Sequence, residues 1–246
     1  EASDQPGGRV RTDQVNGYLL DSGFQVYLDA YPEASRFLNL DALDLRPFAP
    51  GALVWSGKRL LPLMDVFRRP TAALGSALHP AGTIKDKLLV AKLRFSLLRK
   101  PLDAIWAAPE KTTETYLREF GFSERIIDNF FRSFYGGIFL ESWLQTSSRL
   151  FEFTFKMFAE GSATLPAKGM QAIPNQLAAR LPSETILYHH PVESLAENTV
   201  TVNGNELSAD KIIVATDGDT ATELIGGTTS PGWHSTTCLY FAADKS

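Results

Sequence analysis

The residues best equipped for chemistry stand at the start of the chain, in Glu1-Ala2-Ser3-Asp4-Gln5-Pro6-Gly7-Gly8-Arg9-Val10-Arg11-Thr12. A carboxylate at the end of a strand can accept hydrogen bonds from a ribose, and glycines are needed where backbone closes on a pyrophosphate. An arginine beside them neutralises phosphate charge. The spacing of an acid, five residues, then Gly-Gly-Arg therefore suits the grip of a dinucleotide. The plainer reading is a loop whose glycines only turn the chain.

Other constellations are weaker. His189-His190 precede Pro191 at an expected strand end, and adjacent residues of a strand point to opposite faces, so a shared metal is not expected. His79 and His234 lack ligand-spaced partners, and Cys238 is the single cysteine, which excludes an intramolecular disulfide and a thiolate cluster. No nucleophile elbow, His-Glu-x-x-His or phosphate-cradling Gly-x-x-x-x-Gly-Lys is present. No metal is expected, and no side chain is singled out as catalytic.

Three further stretches follow the opening motif: Leu20-Asp21-Ser22-Gly23-Phe24-Gln25-Val26, Leu165-Pro166-Ala167-Lys168-Gly169-Met170-Gln171-Ala172-Ile173-Pro174 and Ala209-Asp210-Lys211-Ile212-Ile213-Val214-Ala215-Thr216. With Glu1 and Gly7-Gly8-Arg9 ahead of them, their order resembles the FAD-dependent family of amine oxidases, phytoene desaturases and protoporphyrinogen oxidases. The resemblance implies FAD as cofactor and a ribose contact at Glu1 beside Ala2. It also implies pyrophosphate contacts at Gly7, Gly8 and Arg9, and further contacts at Gly23, Phe24, Gln25, Val192, Ala215 and Thr216. It implies an oxidoreductase in which flavin takes a hydride from a C–N or C–H bond. The family's glycine-rich turn before the acid and its C-terminal Gly-Asp segment are not in this sequence, as if it were truncated at both ends. Two alternatives stand beside the enzyme: a non-catalytic lipid- or prenyl-binding protein on the same fold, as the Rab GDP-dissociation inhibitors are, and an inactive fragment.

The elements that must position these residues alternate in period. Two short strands are expected within Tyr18–Leu28 and a hairpin over Leu53–Leu61. From about 64 to 160 the pattern turns helical, with Ile84, Leu88, Ala91, Phe95 and Leu98 expected on the buried face of one helix. Further helices are expected over Thr113–Phe120, from Ser123 to Gly136-Gly137, over Arg149–Glu160 and over Met170–Leu181. Strands follow at Ile186–Tyr188, Val192–Leu195, Thr199–Val202, Glu206–Leu207 and Ser235–Ala242, with Lys211–Thr216 as a strand buried in a parallel sheet. The fold class is α/β, a partial Rossmann-like FAD/NAD(P)-binding fold with an inserted, largely helical substrate domain. The expected division is 1–62 and 163–230 for the FAD-binding domain, 63–162 for the insert, and 231–246 for the start of a substrate-domain sheet.

A net charge of −4 and a pI near 5.6 offer no general attraction to phosphate backbones, so nucleic acid is not an expected partner. A small apolar substrate is expected, with Phe134, Tyr135 and Trp143 as candidate tunnel residues; the alternative for these aromatics is packed core. Lys85, Lys87, Lys92, Arg94, Arg99 and Lys100 form a basic stripe, read either as a peripheral membrane contact or as a solvated helix face. The single cysteine suits a reducing compartment, and the location is cytoplasmic or peripheral to a membrane. Substrate identity and oligomeric state are not legible in these residues.

Overall fold

The computed structural model describes residues 1–23, 25–227, 229 and 232–243. It divides into two compact units: Glu1–Gln25 with Lys168–Ser246, and Val26–Ala167. The sequence boundaries at 62/63 and 162/163 both fall inside the second unit. Strand pairing accounts for that extent, as shown below.

The first unit begins with β1 (Thr12–Val15) and β2 (Tyr18–Asp21), an antiparallel pair turned by Asn16-Gly17, both at positive φ. The second unit begins with β3 (Tyr27–Leu28), α1 (Pro32–Phe37), α2 (Leu40–Leu43) and β4 (Leu45–Pro47). Then come the antiparallel hairpin β5 (Gly51–Trp55) and β6 (Leu60–Met64), followed by α3 (Ala73–Ala77), α4 (Ile84–Arg99), α5 (Leu102–Trp106) and α6 (Thr113–Phe120). A continuous helical stretch follows as α7 (Glu124–Ile126), a π-turn over Ile127–Phe131, and α8 (Arg132–Phe139). The unit closes with α9 (Ser148–Glu160) and β7 (Ala163–Pro166), which pairs with both β3 and β4. A three-stranded sheet built from segments more than a hundred residues apart thus ties residues 27–47 to the helical part. The chain returns to the first unit with α10 (Ala172–Ala178), the antiparallel sheet β8 (Val192–Leu195), β9 (Thr199–Val202) and β10 (Asn205–Ser208), and α11 (Gly218–Ile225).

The core of the second unit is aromatic. Phe131, Tyr135 and Phe151 are fully buried, with Leu93, Leu97 and Leu117 against them, and the Tyr135 and Phe151 rings lie 4.7 Å apart. Offset and edge-on ring pairs of this kind add about 1 kcal/mol each beyond their buried area. Helix ends are tied by side chains. Arg94 donates to the Ala159 carbonyl at 2.7 Å, Arg68 donates to Gly161, and Lys156 Nζ donates to the Leu97 carbonyl at 2.9 Å, placing cations where α9 and α4 end.

The α4 helix forms where the periodicity places it, with the opposite phase. Leu93 and Leu97 are buried, whereas Ile84, Leu88 and Phe95 face water. Both stripes are apolar, so period alone could not choose between them. Gly136-Gly137 do not end their helix either; it continues to Leu140, which takes φ 54°. The Asn203-Gly204 turn has φ 49° and 71° as a two-residue hairpin of its kind requires.

Three expected strands are absent from their positions: Ile186–Tyr188, Lys211–Thr216 and Ser235–Ala242 carry no strand. Ile213 is 88% exposed. A β-branched run becomes a strand only when neighbours satisfy its backbone, and the described residues pair no strand with it.

Candidate cofactor site

Within the first unit the opening motif is a closed turn, with Val10 N–H donating to the Gly7 carbonyl at 2.8 Å. Gly7 has φ 118°, and a Cβ there would lie 2.5 Å from the Val10 carbonyl oxygen and 2.7 Å from Pro174 Cγ, so only glycine fits. Gly8, at φ 54°, has nothing within 4 Å of its Cβ position, so one side of the turn is open.

Two other motifs knot this loop in place. Gln171 is buried; its Nε2 donates to the Pro6 carbonyl at 2.6 Å, and its backbone N–H donates to Thr12 Oγ1 at 2.9 Å, so it grips both ends of the Gly-Gly-Arg loop. Thr12 Oγ1 donates to Asp21 Oδ1, which also accepts from the Met170 N–H at 3.0 Å. Gln25 Nε2 donates to the carbonyls of Arg9 and Ser22, both at 2.8 Å. The stretches around Thr12, Asp21-Gly23 and Gly169-Gln171 are thereby one hydrogen-bonded cluster. Gly23, at φ 78°, belongs to it; Phe24 lies outside the described residues.

Glu1 is exposed, and its Oε1 accepts from the Ser3 hydroxyl at 2.6 Å and the Ser3 N–H at 2.9 Å; these two bonds, in that order, hold its pKa below the usual carboxylate range. Ala2 lies between them. The Glu1 carbonyl accepts from the His190 N–H at 2.9 Å, two residues ahead of Val192. The Arg9 guanidinium sits 4.6 Å from the Trp233 ring centre, and Trp233 Nε1 donates to Asp219 at 2.7 Å. Asp219 lies in the first turn of α11, whose cap Asp217 follows Ala215 and Thr216, and α11 packs on β8. Glu1 is thus bonded to the segment ahead of β8, and Arg9 reaches the first turn of α11 through Trp233 and Asp219. Gln171 stands inside one of the family stretches without having been singled out there, and Trp233 lies outside all of them.

A carboxylate, a glycine turn open on one side and a guanidinium within one unit are groups of the kind that the adenosine and pyrophosphate of FAD call for. Gln171 Oε1 is an additional buried acceptor, without a hydrogen-bond partner among the described residues.

Of the candidate tunnel residues, Phe134 and Tyr135 meet edge-on, with ring centres 5.3 Å apart. Tyr135 is 2% exposed inside the aromatic core, and burial raises its pKa. Phe134 stacks on Phe130, while Trp143 is 67% exposed with Arg132 over its ring. The aromatic spacing marks core in this region, because packing among α6, α8 and α9 consumes it. The basic stripe is also divided: Lys87 donates to the carbonyls of Ala77, His79 and Gly82, Arg94 to Ala159, and Lys100 to Glu152. Among the described residues no three His, Cys, Asp or Glu side chains are grouped to hold a metal, and no helix is long and apolar enough to cross a membrane.

A mixed helix and strand architecture with this motif cluster defines a flavoprotein-type dinucleotide fold. The chain belongs to the flavin containing amine oxidoreductase family, whose model matches residues 1–234 and whose cofactor is FAD. Putrescine oxidase, solved with putrescine bound, is 18% identical with a TM-score of 0.61 over 91% of this chain and 53% of its own. A putative protoporphyrinogen oxidase from Exiguobacterium sp. is 17% identical, TM-score 0.60, over 93% and 55%; cyclohexylamine oxidase from Brevibacterium oxydans is 18% identical, TM-score 0.55, over 91% and 53%. At these identities the likeness concerns the fold, and the chain spans about half the length of these structures. No curated protein sequence matches it.

Proposed function

We propose that the protein is an FAD-dependent oxidoreductase acting on a C–N or C–H bond of a small, apolar substrate. The observation that carries this reading is the hydrogen-bonded cluster of Gln171, Thr12 and Asp21 at the two ends of the Gly7-Gly8-Arg9 turn, with Glu1 bonded to His190 ahead of β8 in the same unit. When bound, FAD supplies the hydride acceptor. In this reading Glu1 accepts from the ribose hydroxyls, and Gly7 and Gly8 bring backbone to the pyrophosphate. Arg9 offsets its charge, and Gly23, Gln25, Val192, Ala215 and Thr216 border the cofactor. The chain's part is to bind and orient. The residues choosing the substrate belong to the 63–162 insert.

The test is the visible spectrum of the purified full-length protein. A flavin band, FAD released on denaturation, and bleaching by a member of an anaerobic panel of amines and polyenes are expected. Absence of bound flavin together with no saturable FAD uptake overturns the proposal. FAD binding without bleaching by any panel member would leave a lipid-binding role on the same fold as the better reading.

A further inference from the structure

The loop from Pro6 to Thr12, which carries Gly7, Gly8 and Arg9, does little to fix its own shape. Among the described residues its internal backbone bond is the turn from the Val10 N–H to the Gly7 carbonyl, and two adjacent glycines are the residues least able to restrict a chain by themselves. The loop is held from outside instead, by a side chain 165 positions away in sequence. Gln171 Nε2 donates to the Pro6 carbonyl at 2.6 Å and the Gln171 N–H donates to Thr12 Oγ1 at 2.9 Å, so one residue fixes both ends.

Gln171 is itself held. Its side chain is buried, and Nε2 also donates to Asn175 Oδ1 at 3.1 Å, one turn along α10. The approach to Thr12 needs the glycine two positions earlier: Gly169 has φ 80°, and a Cβ there would collide with the Thr12 side chain. The Met170 N–H donates to Asp21 Oδ1, the atom that accepts from Thr12 Oγ1. Both amide hydrogens of Gln171 are thereby committed, and what the amide contributes is donation. A methionine would fill much the same space and leave the Pro6 carbonyl without that donor.

We propose that Gln171 is a positioning residue for the cofactor: its amide presets the Gly7-Gly8-Arg9 turn, so that a dinucleotide meets the loop already ordered. The inference rests on the flavin reading and names a residue that sets flavin affinity. Ordering a loop at the moment of binding costs affinity, and a loop fixed beforehand avoids that cost. Gln171 acts through the loop, and its effect falls on binding.

The experiment titrates flavin-stripped full-length protein with FAD, comparing wild type with the near-isosteric variants Gln171→Met and Gln171→Glu. At a pH of about 8 both should bind about 10-fold more weakly, the usual effect of losing a hydrogen bond to a partly buried acceptor. On acidification the two part. A buried carboxyl beside the Pro6 carbonyl and near the Asp21 carboxylate takes up its proton above the usual range, and its O–H then donates where the amide did. Relative to wild type at the same pH, Gln171→Glu should recover most of its affinity by a pH of about 5, while Gln171→Met should not. The Val10 amide of flavin-stripped Gln171→Met should also exchange with solvent faster than that of wild type. FAD binding by wild type with undiminished affinity in both variants overturns this role alone, as does unchanged Val10 exchange or a loss in Gln171→Glu that acid does not restore. Should Gln171→Met fail to fold, the pH recovery of Gln171→Glu decides by itself. No FAD uptake by wild type overturns the flavin reading and this role with it.

Discussion

Gly7 and Gly8 are sequence neighbours with opposite surroundings, which makes them a paired test of the turn. A methyl group at Gly7 would collide with the Val10 carbonyl and Pro174, while at Gly8 it would meet nothing and bear only the strain of φ 54°. Gly7→Ala is expected to cost about 2 kcal/mol or more of local stability and most of the bound flavin, against about 1 kcal/mol for Gly8→Ala; flavin retained after dialysis and thermal melting measure both. Asp86 makes a second residue-scale case. Burial alone would raise its pKa, but bonds from the Ser123 N–H, the Thr83 hydroxyl, the Ser123 hydroxyl and the Thr83 N–H outweigh it and hold the carboxyl at about 2. A folded pKa below the unfolded value stabilises the protein above pH of about 4, and that contribution fades as pH falls towards 2. Asp86→Asn should cost about 2 kcal/mol at neutral pH, and urea titrations at falling pH should show the gap from wild type closing below about pH 4.

At the scale of elements, the helix running through the π-turn into α8 contains two glycines that general propensity would treat alike. Alanine in place of a helix-interior glycine ordinarily stabilises by about 1 kcal/mol. Gly137 has open space around its Cβ position, so Gly137→Ala should follow that rule. A Cβ on Gly136 would lie 2.5 Å from the Glu141 carbonyl oxygen where the chain folds back past Leu140, so Gly136→Ala should lower the melting temperature instead. The opposite signs of two adjacent substitutions, read by thermal denaturation, test that close approach. Sequence patterning placed this helix and missed its end, because the diglycine there answers to a tertiary contact rather than to termination.

Across the whole molecule, the second unit holds its long-range sheet and aromatic core inside itself, while the first leaves an apolar run bare. Phe151→Ala should destabilise the second unit by about 4 kcal/mol, since Phe131, Tyr135 and Phe155 cannot close the gap; denaturant unfolding measures it. Amides of 211–216 should exchange nearly as fast as an unfolded chain while those of β8–β10 are protected, as hydrogen exchange by mass spectrometry would show. The sequence by itself determined the family motifs, the α6 and α9 helices with their Gly121 and Gly161 ends, and the Asn203-Gly204 hairpin, because each rests on local geometry or short-range capping. Only the tertiary structure decided which apolar face of α4 is buried, that Tyr135 is core while Trp143 is surface, and that Gln171 fastens the loop of Gly7-Gly8-Arg9. Those outcomes depend on which distant segment arrives to cover a side chain or accept its hydrogen bond, and no spacing within a single element records that arrival.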